Sequence, residues 1–210
     1  MKTKILKHLL IVIIITVTVF IYFNCSDDTA TNPTNTSFTL SGQISGWTLS
    51  TKTLSAHIQS VSNHNYEIAN CPIDSKGNFS LTLPATISDT TMYSGDSVFS
   101  MGCNGNVTIN PSSSKGSKIW RLNVMDGSNV IGYIRCCNYD NLAPGAFEEV
   151  YLFVNQNLSV SGTQFCFQGD TIMYSGSATS GWNKVIENYV RQFSTGYVIL
   201  YNNTEPSGAV

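Results

Sequence analysis

The residues that could perform nucleophilic catalysis are scattered and form no complete set. Such catalysis needs a serine or cysteine nucleophile, a base and a group that orients the base. Serines abound, but the two histidines after residue 24, His57 and His64, fall within one segment, and no Gly-x-Ser-x-Gly elbow occurs. We therefore favour a structural or surface role for both histidines and expect no catalytic residues. An enzyme would require a pocket in which one of them meets a carboxylate and a serine.

Carboxylates and metal ligands show no recognisable site either. Glu148 and Glu149 are adjacent, so on a strand they point to opposite faces and cannot flank one glycosidic bond. Asp74, Ser75 and Asn78 lack the regular oxygen spacing of a calcium loop and are more typical of a turn. There is no glycine loop of the kind that binds phosphate. We expect neither a metal nor a cofactor.

Aromatic side chains are the remaining candidates. Trp47, Trp120 and Trp182 lie in strand-like segments, where packing in the core or at a sheet edge is the favoured interpretation. An exposed row of the same rings would instead stack against a sugar or a peptide. Because strand register decides which face a side chain occupies, the sequence leaves both interpretations open.

The first 28 residues determine where any such surface is displayed. A basic start precedes an apolar run over 9–23, which is the pattern of an export signal. The run is slightly shorter than the ~20 residues that span a bilayer, so a removed signal peptide and a retained helix both remain open. Small residues of the usual cleavage site are missing, and the run ends at Asn24 and Cys25.

This ending resembles the lipobox of bacterial lipoproteins, whose cysteine becomes the acylated first residue of the mature chain. Cys25, followed by Ser26, Asp27 and Asp28, also resembles the acidic tetrapeptide that sends certain lipoproteins to the outer face of the outer membrane. The resemblance implies a signal peptide over 1–24, lipidation of Cys25 and a surface-exposed, lipid-anchored location in the outer membrane of a Gram-negative bacterium. Residues 25–37, rich in Thr, Asn and Ser, should form a flexible tether.

The other cysteines indicate disulfides. An oxidising compartment favours them, but with Cys25 acylated the odd number leaves at least one thiol free or paired between chains. Zinc is the less favoured alternative, because there is no Cys-x-x-Cys knuckle and both histidines lie far from most of the cysteines. Adjacent cysteines on a strand face opposite ways, and a disulfide between them is strained. The candidates, whose pairing stays open, are Cys71, Cys103, Cys136, Cys137 and Cys166.

Composition limits the class of protein and its partners. Without the three lysines of the signal peptide, eight basic residues face 13 acidic ones, a net charge of −5. No basic patch remains, so we expect no nucleic-acid partner. Few charges and many Ser, Thr, Asn, Gly and Tyr residues suit an extracellular β-sandwich more than a helical enzyme.

Alternation of apolar and polar residues predicts strands along most of the chain. The clearest hairpin joins 118–125 to 130–135 through a turn at 126–129. The interval 85–99 is irregular and could hold a short helix or a crossing loop. The segment 110–116 is the best internal linker.

Residues 41–47, followed downstream by Asp-Ser-Lys-Gly-Asn-Phe-Ser-Leu at 74–81, resemble the opening of transthyretin-like and carboxypeptidase-regulatory-like β-sandwiches. Gly181-Trp182-Asn183-Lys184-Val185 is similar to a strand of some uncharacterised bacterial lipoproteins. The resemblance implies a Greek-key sandwich and no chemistry. We therefore predict an all-β, antiparallel Greek-key β-sandwich of the Ig-like or transthyretin-like type, as two small sandwiches or one extended one. Its predicted parts are an N-terminal β-sandwich at 38–110 and a C-terminal β domain at 117–203.

The favoured function is that of a non-enzymatic lipoprotein anchored in the envelope, acting as a binding or structural module at the cell surface. Its expected partners are the membrane, through the N-terminal lipid, and a glycan or protein in capture, adhesion or support of an assembly. The alternative is a pilin-like fimbrial subunit that assembles by strand donation. A displaceable edge strand or SDS-resistant ladders would distinguish the alternative.

Overall fold

The computed structural model describes residues 37–60, 64–100, 103–139, 142–166 and 169–204. The predicted signal peptide, Cys25 with the export signal Ser26, Asp27 and Asp28, and the tether up to residue 36 lie outside the described residues. Within them the chain is almost entirely β, which confirms the all-β prediction, and the arrangement is consistent with a β-sandwich.

Thirteen strands, one short helix and one 3-10 turn make up the described part of the chain. The helix α1 covers Gly95–Ser100 and the turn Asp89–Thr91, so the irregular interval does contain a helix. The strands are β1 (Phe38–Gln43), β2 (Lys52–Gln59), β3 (Asn65–Ile73), β4 (Asn78–Leu83), β5 (Tyr93–Ser94), β6 (Asn104–Asn110), β7 (Lys115–Asp126), β8 (Asn129–Ile134), β9 (Ala146–Val154), β10 (Leu158–Phe165), β11 (Thr171–Ala178), β12 (Gly181–Phe193) and β13 (Gly196–Asn202).

The N-terminal strands form two layers around a first core. β1 and β4 are a separate antiparallel pair, while β2 and β3 belong to a larger sheet with β7 and β8. Leu81 and Leu83 of β4 are fully buried and share one apolar cluster with Leu54 and Ile58 of β2. Every second residue of β4, and of β2 from Leu54 to Ile58, is apolar, so each of these two strands offers one face to this core.

A tight turn carries the chain from β3 to β4, between the two layers. The Asp74 carboxylate accepts hydrogen bonds from the backbone N–H groups of Lys76 (2.7 Å) and Asn78 (2.9 Å) and from the Asn78 amide (2.8 Å). These bonds, led by the one from the Asn78 side chain, lower the pKa of Asp74. Gly77 has a φ of +84° and lies against Trp47, where a Cβ would come within 2.7 Å of the Trp47 Cβ. The predicted turn is confirmed, and glycine is required in it.

The C-terminal strands form a curved sheet around a second core, in the order β7-β9-β12-β13-β11-β10-β6. Its neighbours are antiparallel except β11 and β13, which are parallel. Ile109 of the outermost strand β6 shares an apolar cluster with Leu152 and Val154 of β9, so the sheet curls back on itself. The helix α1 packs against β6 and β7 and adds Phe99 to this cluster.

Strand β7 belongs to both halves. Its residues 116–118 pair with β9, whereas residues 119–125 pair with β2 and 122–126 with β8. The predicted hairpin between β7 and β8 is confirmed. The first core takes residues from both sides of the predicted linker, including Phe153 and Trp182. The division into units at 38–110 and 117–203 stays a prediction.

A β-bulge marks the point where β7 passes from one half to the other. His57 of β2 lies opposite Arg121, but the next residue, Ile58, lies opposite Ile119, which leaves Trp120 as the extra residue. Ile119 still packs against the first core. The bulge therefore takes Trp120 out of the pattern in which successive side chains of the strand point to alternate faces of the sheet.

A disulfide joins β6 to β10. Cys103 and Cys166 are bonded directly beyond the last paired residues of these strands, which confirms that the chain contains a disulfide; the sequence had left the pairing open. Cys71 and Cys137 are free thiols, and burial raises the pKa of each. Cys136 is buried beside Cys137.

Replacement of both Cys103 and Cys166 by serine should lower the free energy of unfolding by about 2–4 kcal/mol, because the bond closes a long loop in the unfolded chain. Urea unfolding without reductant measures this difference. Cys137→Ser is the control, since it removes a free thiol and should change stability by less than about 1 kcal/mol. Equal losses in both variants would contradict the prediction.

Candidate binding site at the strand junction

Strands β7, β8 and β9 frame an opening in the middle of the fold. β7 pairs with β9 before residue 119 and with β8 from residue 122 onward. After β8 the chain reaches β9, where the Glu149 N–H donates to the Cys136 carbonyl at 2.8 Å and Cys137 bridges to Glu148. The three strands thus enclose a cavity of about 420 Å³, which we call the junction cleft. Its volume is in the range of small-molecule sites.

Charged side chains line the junction cleft: two glutamates that are each paired with a cation, and Arg121 of β7, which is exposed. The Arg135 guanidinium donates to both oxygens of the Glu148 carboxylate, at 2.9 Å from Nε to Oε1 and through Nη2 to Oε2. These bonds raise the pKa of Arg135. Glu149 is buried and accepts bonds from the Tyr151 hydroxyl (2.5 Å) and from Lys184 Nζ (3.2 Å). The two glutamates have separate partners, as expected for opposite faces of a strand, and each is matched by a cation.

Two aromatic rings stand at the junction cleft in contact with solvent. Trp120, displaced by the bulge, is 45% exposed, and Tyr133 of β8 is 49% exposed. Sequence reasoning did not single out Tyr133, since alternation on a hairpin gives no sign of the opening beside it. Exposed rings at the wall of a cavity provide a stacking surface for a planar or ring-shaped ligand.

The other two tryptophans are part of the first core. Trp182 is buried, its ring packs edge-on against Phe153 at a centroid distance of 5.4 Å, and its indole N–H donates to the Pro84 carbonyl at 2.8 Å. Trp47 is half-buried and packs against the same core. Of the three predicted stacking residues, Trp120 is the one whose ring is exposed.

A second cavity of about 260 Å³ lies beside Trp120 and next to the helix α1; we call it the helix-side cleft. Gln59 at the end of β2, Tyr93, Ser97 and Lys118 supply its polar groups. The Tyr93 hydroxyl donates to the Ser60 carbonyl, which fixes the ring. Trp120 lines both this cavity and the junction cleft.

Lys118 belongs to a group of half-buried ionisable side chains. Glu187 of β12 sits directly opposite Glu148 of β9 in the sheet register and accepts a hydrogen bond from the Tyr201 hydroxyl. Burial raises the pKa of Glu187 and lowers that of Lys118, while attraction to Glu187 and Glu148 partly offsets the shift of the lysine. Sequence reasoning missed Lys118 and Glu187, because only the pairing of distant strands brings them together.

The structure also brings together a serine, a histidine and a carboxylate. Ser55 Oγ donates to Glu67 Oε2 at 2.6 Å and lies 2.7 Å from His57 Nε2. Since the single hydroxyl proton of Ser55 points to Glu67, His57 donates to the serine and does not act as its base. Ser55 is also fully buried. The three residue types required for an enzyme therefore meet, but they offer no accessible nucleophile.

Two further searches of the described residues give negative findings. No helix in these ranges is long and apolar enough to cross a bilayer. No cluster of three or more His, Cys, Asp or Glu side chains in the same ranges could hold a metal ion.

Comparison of the chain with protein-family models, with curated proteins and with solved structures gives no match. The predicted kinship with bacterial lipoproteins stays a prediction.

Replacement of Glu67 by glutamine should cost stability at neutral pH and not at acid pH. Hydrogen bonds from Ser55 and then Asn70, with a smaller contribution from His57, hold the pKa of Glu67 below its ordinary value. Its stabilisation is therefore present above pH ~4.3, the usual pKa of glutamate, and is lost as the pH falls through the folded-state pKa.

Urea unfolding of the wild type and of Glu67→Gln between neutral and acid pH measures the difference. We expect at most about 1 kcal/mol at neutral pH, because the carboxylate is half exposed. A difference that grows on acidification would show that the sign is wrong.

Proposed function

We propose that this chain is a non-enzymatic, lipid-anchored envelope protein that binds carbohydrate at the junction cleft. The observation that carries the proposal is Trp120, whose ring the β-bulge leaves 45% exposed beside a cavity of about 420 Å³. A sugar ring presents an apolar face bordered by hydroxyl groups. An exposed aromatic ring next to hydrogen-bonding side chains matches both of these features.

Two ion pairs at the junction cleft favour a ligand that bonds through hydroxyl groups, and exposed Arg121 adds one positive charge and further hydrogen-bond donors. Glu148 is paired with Arg135 and Glu149 with Lys184. A strongly charged ligand would have to compete with these pairs, and loss of the cation from a largely buried carboxylate is costly. Hydroxyl groups can bond to the outer oxygens and nitrogens of the pairs without separating them.

Attachment to the outer membrane through Cys25 is the second part of the proposal. It is supported by the basic and apolar start of the chain and by the cysteine followed by Ser26, Asp27 and Asp28. Each buried acyl methylene contributes ~0.8 kcal/mol, so two or more acyl chains anchor a protein without a spanning helix. The tether that follows would hold the binding site away from the membrane.

A pilin-like subunit is the second candidate. It is favoured by β1, which pairs with β4 alone among the described strands and is thus open to replacement by a strand from another molecule. SDS-resistant ladders of the native protein would support this candidate, and migration as a single monomer band would argue against it.

Trp120→Ala should abolish most retention on a glycan array. Truncation of a central tryptophan typically costs about 2 kcal/mol or more, a roughly thirtyfold loss of affinity. Phe165→Ala is the matched control, because Phe165 is an aromatic residue of β10 that is 61% exposed and lies outside both clefts. Absence of glycan binding by the wild type, or equal binding by both variants, would refute carbohydrate recognition at Trp120.

Cys25→Ala should release the protein from the outer-membrane fraction if the lipid is the anchor. Protease shaving of intact cells should remove the wild-type protein from the surface. Membrane fractionation and immunoblotting measure both effects, with Cys137→Ser as a control that keeps Cys25. A Cys25→Ala protein that stays in the membrane and resists shaving would instead indicate a retained helix and a periplasmic location.

A further inference from the structure

We propose that the carbohydrate site continues past Trp120 into the helix-side cleft, and that it therefore takes a neutral linear oligosaccharide across two subsites. This inference rests on the proposed carbohydrate binding at Trp120. It assigns a second subsite to Gln59, Ser97 and Lys118 and specifies the class of ligand.

The position of Trp120 between the two cavities is the first support. Trp120 lines both of them, with β8 and β9 on one side and α1, β5 and the end of β2 on the other. Lys118 precedes Trp120 by two residues, a rise of about 7 Å along a strand. A ligand stacked on Trp120 thus has polar side chains within reach in both directions.

The polar groups of the helix-side cleft are the second support. The Gln59 amide can both donate and accept, Ser97 carries a hydroxyl that lies 2.9 Å from the Ser94 hydroxyl, and Lys118 carries an amine. The side chain of Val98 adds an apolar contact. Mixed donors and acceptors around a small apolar surface suit the hydroxyl groups of a sugar.

The depth of the site favours an extended ligand over a compact one. Below Lys118 the interior space is about 20 Å³ and is lined mainly by apolar and aromatic side chains, including Phe99 and Leu152. This volume admits at most about one water molecule. A ligand in the helix-side cleft therefore cannot enter the core, and it gains contacts only by extending along the surface over Trp120.

The charge around Lys118 favours a neutral ligand in this subsite as well. The electrostatic partners of its amine include Glu187 and Glu148. Attraction to these carboxylates offsets part of the positive charge of the amine, which lines the helix-side cleft and can donate hydrogen bonds to sugar hydroxyl groups.

Isothermal titration of the full-length protein in detergent with neutral linear mono-, di-, tri- and tetrasaccharides tests the second subsite; the probes are those that the glycan array retains. Affinity should rise by tenfold or more from the monosaccharide to the tetrasaccharide. The double variant Gln59→Ala/Ser97→Ala should lower tetrasaccharide affinity about tenfold, the effect of two hydrogen bonds, and leave monosaccharide affinity unchanged.

Gln192→Ala is the matched control, since Gln192 is an exposed glutamine of β12 that lines neither cleft. Affinity that depends on Trp120 but not on chain length would overturn the second subsite and leave the proposed function standing. Equal losses for the mono- and the tetrasaccharide in the double variant would overturn it too. If no saccharide binding by the wild type depends on Trp120, both the second subsite and the proposed function are overturned.

Discussion

The structure depends on one strand that serves two cores. β7 begins in the curved C-terminal sheet and ends in the sheet that covers the N-terminal core. A regular strand sends alternate residues to fixed faces, so it cannot change the core it faces without a break in its alternation. The bulge at Trp120 is that break. It lets Ile119 and Leu122 both pack against the first core, while Trp120 and Arg121, which lie between them in the chain, stay outside it. The exposed ring is thus a consequence of how the two halves are joined.

The same junction determines the electrostatics of the site. Where three strands separate around an opening, backbone and side-chain groups lose neighbours, and charged residues fill the space. Arg135 with Glu148 and Lys184 with Glu149 occupy it in pairs, because the two carboxylates are largely buried and would destabilise the fold if left without a cation. The pairs, together with exposed Arg121, leave a polar surface on which most of the charge is neutralised. Such a surface selects among ligands mainly by hydrogen bonding and shape.

The sequence predicted what depends on local pattern. The β7–β8 hairpin, the turn stabilised by Asp74 and the helix-or-loop interval before β6 follow from alternation and turn residues, and each is found. It could not predict what depends on pairing between distant strands. Glu187 meets Glu148, and Ser55 meets Glu67, only through the register of the sheets. The exposure of Trp120 follows from a single extra residue, which no period of the sequence reveals. Trp120 and Trp182 both lie in strand-like segments, and only the pairing of the strands shows that Trp120 is exposed and Trp182 is buried.

The position of β6 in the sheet has a consequence for the order of folding. Its only strand partner among the described residues is β10, which follows about 50 residues later in the chain. The chain loses conformational entropy when it closes that interval, and this loss must come before the β6–β10 hydrogen bonds can form. β6 therefore stays unpaired while the strands between β6 and β10 form their local hairpins. The β7–β8 and β2–β3 hairpins, which join strands adjacent in the chain, need no such delay. Folding should therefore begin at the local hairpins, and the distant pairings of β2 with β7 and of β6 with β10, which complete the two cores, should come later.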